Sequence, residues 1–113
     1  MNFNFENDAL IITVPDAIST IEIAKRLNEL YHKLSGHNVI LNLQHVSSFN
    51  LEQCVELLQI SNRHREAFQS LVILNSHIDI DEVPDELIIV PTIQEAYDVI
   101  EMENMERDLG LDL

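Results

Sequence analysis

Apolar residues in this chain come in short blocks, and no block is longer than four: Ala9-Leu10-Ile11-Ile12, Leu71-Val72-Ile73-Leu74 and Leu87-Ile88-Ile89-Val90. Aliphatic runs of that length, bounded by turn-forming residues, read as strands. They are far too short for a membrane-crossing helix, which needs about 20 apolar residues. Around these blocks the spacing predicts strands at Ala9 to Val14, Asn38 to Leu43, Ser70 to Leu74 and Leu87 to Val90. Phe3 and Phe5 stand two apart, the period of a half-buried strand, and Asn7-Asp8 is a plausible hairpin turn before Ala9.

Between the blocks the period changes to that of a helix. Ile23, Leu27, Leu30 and Leu34 recur at three- and four-residue spacing, so Ser19 to Leu34 is predicted as one amphipathic helix. Ser19 with Glu22 forms a capping-box pattern, Glu22/Arg26 and Glu29/Lys33 are i,i+4 pairs, and Gly36 is a natural stop. A second helix is predicted from Leu51 to Phe68, with Cys54, Leu57, Leu58 and Ser61 on one face. The last helix follows Pro91, is capped by Thr92 with Glu95, carries Ile93, Ala96, Tyr97 and Ile100 on one face, and stops at Gly110. The order is β-β-α-β-α-β-loop-β-α. It defines an α/β chain with a sheet of about five strands, and at 113 residues it is read as a single domain over 1–113.

Charge narrows the function. Six Lys and Arg stand against twenty Asp and Glu, a formal charge of −14. A surface this acidic repels phosphate backbones and anionic lipid, so direct binding to nucleic acid or membrane is not expected. From Asp79 to Leu113 there are twelve acids and one base, Arg107, so residues 102–113 read as an acidic helical tail. A lone cysteine, Cys54, and an N-terminal stretch without a basic or apolar block fit a cytoplasmic protein.

The segment Asn38 to Ile100 resembles the STAS family (sulfate transporter and anti-sigma-factor antagonist). There a central strand runs through a loop into a helix that presents an Asp-Ser-Ser-Gly-like tetrad at its start. Here the strand is Val39 to Leu43, the loop is Gln44-His45-Val46-Ser47-Ser48-Phe49, and the tetrad position reads Asn50-Leu51-Glu52-Gln53. Val46 and Phe49 match the apolar positions before the tetrad, and Leu57 and Leu58 those after it. The resemblance implies a STAS-like sheet with helices packed on it, and a regulatory or adaptor function through protein–protein contact, like an anti-sigma-factor antagonist.

Two departures stand out. Glu52 occupies the place of the family's phosphate-accepting hydroxyl, and the helix expected between the last two strands is shortened or lost around Asp79 to Pro84. The ending Glu101 to Gly110 is similar to that of short bacterial STAS-like proteins, some of them associated with ribonuclease Z. An accessory of an RNA-processing hydrolase is therefore an alternative, and a small-ligand sensor another.

The residues offer little to an enzyme. With only Gly36 and Gly110 there is no Gly-rich phosphate cradle. Cys54 and His64 lie ten residues apart on one helix, roughly 15 Å, too far for a dyad. His77, Asp79 and Asp81 would share a face if extended, but they read better as a solvated loop, so no metal and no cofactor is assigned. The partner-binding candidates are Ser47, Ser48, Asn50, Leu51, Glu52 and Gln53, at a helix start whose unpaired N–H groups attract anions. Glu101, Glu103, Glu106 and Asp108 are the candidates for acidic docking of a basic partner.

Overall fold

A computed structural model describes residues 2–15, 20–46, 51–79, 81, 83 and 85–110, with the side chains of 20, 21 and 51–56 outside the description. The chain folds as an α/β protein with a five-stranded mixed sheet in the order β1-β2-β3-β4-β5. The strands are β1 (Asn2–Glu6), β2 (Ala9–Thr13), β3 (Asn38–Asn42), β4 (Leu71–Leu74) and β5 (Ile89–Val90). β1 runs antiparallel to β2, and the remaining pairs are parallel. The helices are α1 (Thr20–Glu29), α2 (Tyr31–Leu34), α3 (Leu51–Glu66) and α4 (Ile93–Asp108).

The aliphatic blocks are continuous because the central strands are buried on both faces. Ile12, Val39, Leu41, Leu71 and Ile73 join Ile23, Leu27, Leu57 and Ile60 of α1 and α3 in one apolar layer. Alternate residues of the same strands, Ala9, Ile11, Ile40, Val72 and Leu74, meet Ala96 and Ile100 of α4 in the other. The sheet thus lies between three helices and one. Asn7 and Asp8 take φ of 52° and 64°, the left-handed pair that a tight β1–β2 hairpin requires.

Most predicted elements appear where the spacing put them, but the strand predicted over Leu87 to Val90 is only Ile89–Val90 and one helix is interrupted. The helix predicted over Ser19 to Leu34 is broken at Leu30, whose φ and ψ of −99° and 4° leave the helical region. The break separates α1 from the single turn of α2, which buries Tyr31 and Leu34. It also places Glu29 and Lys33 on opposite sides of an interruption, whereas Glu22 and Arg26 pair at 3.0 Å. Between β4 and β5 the described residues form bends, turns and a 3-10 residue at Asp81 with no α-helix, in line with a helix shortened or lost there.

The end of α3 carries strain. Gln69 N–H donates to the His64 carbonyl and Phe68 N–H to that of Arg65, the two bonds of a Schellman stop. The left-handed residue of this motif is usually glycine, yet here it is Phe68 at φ 60°, with its ring 76% exposed. Phe68→Gly is expected to raise stability by about 0.5–1 kcal/mol, since relief of the left-handed backbone exceeds the entropy that glycine loses on folding. Thermal and urea melts check this.

His64 extends the buried stripe Leu57, Ile60, Ser61 of α3 and is fully buried. Its Nε2 lies 2.6 Å from the His37 carbonyl, which can only accept, so Nε2 carries the proton and Nδ1 accepts from the Tyr31 hydroxyl at 3.2 Å. The Arg63 guanidinium covers the Tyr31 ring at 4.0 Å. Burial holds His64 below the ordinary histidine pKa of 6.5, the nearby Arg107 charge adds to that, and the bond to His37 opposes it. Burial likewise raises the Tyr31 hydroxyl above its usual value, so it stays a donor.

The unfolded chain therefore takes up a proton at His64 near pH 6.5 that the folded chain refuses. The stability that neutral His64 provides is whole above that pH and is lost as pH falls below it, by at most about 1.4 kcal/mol per pH unit. His64→Leu is expected to cost about 1–3 kcal/mol at pH 7.5 by orphaning the Tyr31 hydroxyl and the His37 carbonyl. The gap between wild type and variant should then narrow as pH falls below 6.5, in urea melts run across that range.

Candidate functional site

In an open parallel sheet the loops that leave the carboxyl ends of the strands are the natural place for a binding surface. Here α3 follows β3 and α4 follows β5, so both helices begin at that end. Gln44, just beyond β3, ties the loops together: its Nε2 donates to the Pro91 carbonyl at 2.8 Å, and its Oε1 accepts from Ser76 N–H and Oγ at 3.0 and 3.1 Å. Beneath it the buried Asn75 donates to the Leu43 carbonyl at 3.0 Å and accepts from the N–H groups of His77 and Ile78. One amide side chain thus clamps the exits of three strands, and a second fixes the floor.

Thr92 caps α4 as its sequence predicts. Its Oγ1 accepts from Glu95 N–H at 3.2 Å and donates to the Glu95 carboxylate at 3.1 Å. Of the candidates at the start of α3, Ser47, Ser48 and Asn50 lie outside the described residues. Leu51, Glu52 and Gln53 form the first turn of the helix, with side chains outside the description. Glu52 thus stands in the turn where the helix dipole favours a carboxylate.

The acidic candidates do not form one surface. Glu101 and Asp108 are exposed, Glu106 is half-buried, and Glu103 is turned inward. Glu103 accepts a hydrogen bond from Ser70 Oγ and lies 3.9 Å from the Arg107 guanidinium, with their side chains only 12% and 17% exposed. Arg107 also donates to Ser70 Oγ at 3.1 Å and to Asn104, and the buried Asn38 accepts from Ser70 N–H at 2.8 Å. Residues 102–108 are therefore the last turns of α4, tied to the amino ends of β3 and β4. The base that charge counting leaves as a lone cation is a structural tie. Glu101, Asp108 and Asp8 rim a shallow groove of about 390 Å³ between α4 and the hairpin turn, with Tyr97 in its wall.

His77, Asp79 and Asp81 do not converge on a metal site: Asp79 Oδ1 accepts from Asp81 N–H at 3.0 Å, a local turn. Among the described residues no group of three or more metal-binding side chains comes together, and no helix is long and apolar enough to cross a membrane.

Comparison with known proteins gives a fold and no family. No protein-family model matches the chain, and no curated protein matches it. Among solved structures the chain is similar to the NMR structure of the protein TM1081, with a TM-score of 0.64 and 15% identity over 88% of this chain and 86% of that one. At that identity the likeness is one of fold.

Sequence reasoning missed the clamp and the inward tie. Gln44, Asn75 and Ser70 flank strands as ordinary polar residues, and the partners that tie them across the fold lie 32 or more residues away. The predicted face of α3, Cys54, Leu57, Leu58 and Ser61, also left out Ile60 and His64, both of which are buried. Arg107→Met is expected to cost about 1–3 kcal/mol by leaving the Glu103 carboxylate and its buried neighbours short of a donor. Glu101→Gln, on the exposed side of the same helix, should stay within about 0.5 kcal/mol of wild type. Paired thermal melts distinguish the two.

Proposed function

We propose that this chain is a non-enzymatic, cytoplasmic regulatory or adaptor domain of the STAS type. It acts by docking on a protein partner at the carboxyl end of its sheet. The observation that carries this reading is the Gln44 clamp, which ties the end of β3 to Ser76 beyond β4 and to Pro91 at the start of α4. A surface that meets a partner without reacting with it gains from being ordered in advance, because less freedom is lost on binding.

The resemblance at Asn50-Leu51-Glu52-Gln53 supports this reading, because the family's regulatory position would fall at the helix start that follows β3. Glu52 supplies there a permanent negative charge in place of an acceptor hydroxyl. The exposed carboxylates of α4, Glu95, Asp98 and Glu101, extend the surface along one helix and favour a partner with basic residues.

Affinity capture from native lysate with the full chain as bait, read by mass spectrometry, is expected to retain a protein that is released as salt rises. With that protein in hand, Gln44→Ala should weaken binding about tenfold, while melting changes by no more than an exposed hydrogen bond allows, about 1 kcal/mol. Unchanged affinity in Gln44→Ala and Glu52→Gln alike would move the contact elsewhere. Turnover of a substrate by the purified chain would replace this reading with an enzymatic one.

A further inference from the structure

β1 is the outer strand of the sheet, and its free edge pairs with no other strand among the described residues. All five of its residues are exposed, Phe3 by 47% and Phe5 by 56%. The register sets Phe3 opposite Ile12 and Phe5 opposite Leu10, so both rings stand on the face that carries α1 and α2. There they wall a groove of about 470 Å³ with Leu10, Leu30, Lys33 and Leu34, and Phe5 meets the His37 ring edge-on at 5.2 Å. Sheet edges are ordinarily blunted by lysine, proline or a bulge. Asn2-Phe3-Asn4-Phe5-Glu6 has no lysine or proline, and it pairs with β2 residue for residue.

We propose that this edge is a self-association surface, on which two copies pair β1 against β1, antiparallel about a two-fold axis at Asn4. The two five-stranded sheets then become one of ten. The strand's own pattern points to a second copy as the occupant, because it is complementary to itself in this register. Phe3 of each copy lies opposite Phe5 of the other, Asn2 opposite Glu6, and Asn4 opposite Asn4, so aromatic pairs form and no like charges face each other. The two Glu6 carboxylates are four residues apart along the strands, roughly 13 Å, beyond a Debye length of about 10 Å at 0.1 M salt. Centring the axis on Phe5 instead would set Phe3 against Asn7 of the turn and lose the aromatic pairs.

An axis normal to the sheet keeps both sets of helices on one face, so the two grooves join beneath four phenylalanine rings. Half-exposed rings of about 200 Å² each remove roughly 400 Å² from water. That is well short of the 1,200 Å² or so of a tight complex, so the dimer is weak, with Kd on the order of 10–1,000 µM. The charge of −14 on each copy opposes association. Salt therefore strengthens this contact, the reverse of its effect on a basic partner. That sign keeps the proposal separable from partner docking at the other surface.

Sedimentation equilibrium of the full chain from about 10 µM to about 1 mM, at low and at high salt, is the test. It is expected to show a monomer–dimer equilibrium whose Kd falls at least about threefold as salt screens the like-charged copies. Asn4→Lys sets two ammonium groups face to face while lowering each copy's net charge. It is expected to raise Kd about tenfold or more with melting unchanged, since like charges directly opposite destabilise a strand pair. Asn4→Cys is expected to yield a disulfide between the two substituted positions on mild oxidation, because directly opposed Cα atoms lie about 4.5–5.5 Å apart. Peptide mapping separates that product from any adduct of Cys54. A monomer throughout, a dimer that weakens with salt, or a dimer indifferent to Asn4→Lys and not cross-linked through position 4 would each overturn the proposal.

Discussion

Burial of β2, β3 and β4 on both faces is the constraint from which the other features follow. A strand covered on one side alternates apolar with polar residues, whereas one covered on both must be apolar throughout. Ile11, Ile12, Ile40, Leu41, Val72 and Ile73 meet that demand, facing the two layers alternately. The layers are unequal. Among the described residues three helices cover one face and α4 covers the other, where Ala96 and Ile100 are its buried contacts. The sheet's two margins differ for the same reason. β5 is short and lies beside α4, while β1 at the other margin leaves its phenylalanines half in water.

With the middle of the sheet apolar, every polar group of consequence sits at a strand end. At the amino ends, Asn38, Ser70, Glu103, Asn104 and Arg107 form one hydrogen-bonded network, and the His64–Tyr31–His37 chain lies close enough for the Arg107 charge to reach His64. At the carboxyl ends, Asn75 and Gln44 hold the loops. The two ends serve different purposes. The amino-end network is largely buried and fixes α4 on the sheet, so its charge is spent internally. The carboxyl-end clamp is exposed and shapes a surface. The same −14 charge thus divides into a structural share, represented by Glu103, and a solvent-facing share on Glu95, Asp98 and Glu101.

The candidate site was legible in part. Glu52 and its neighbours were singled out by the resemblance to the STAS tetrad, and the helix expected to start there begins at Leu51. The docking carboxylates were chosen by counting charge, which cannot tell Glu101 from Glu103 two residues later. Their difference is that Glu103 faces Ser70, and that contact spans 33 residues of chain. The break at Leu30 was also hidden, because its i,i+3,i+4 apolar spacing continues unchanged through the interruption.

What the sequence determined by itself was local: block length and period set strand against helix, Thr92 with Glu95 and Gly110 set the ends of α4, and Asn7-Asp8 set the hairpin. Each is decided within a few residues by backbone sterics and nearest hydrogen bonds, so each can be read without knowing the fold. Tertiary structure alone decided which polar groups are partners, which of several equivalent acids face solvent, and that among the described residues no strand lies beyond Phe3 and Phe5. Those outcomes depend on strands separated by some thirty residues coming to lie side by side, and no short-range pattern encodes such distances.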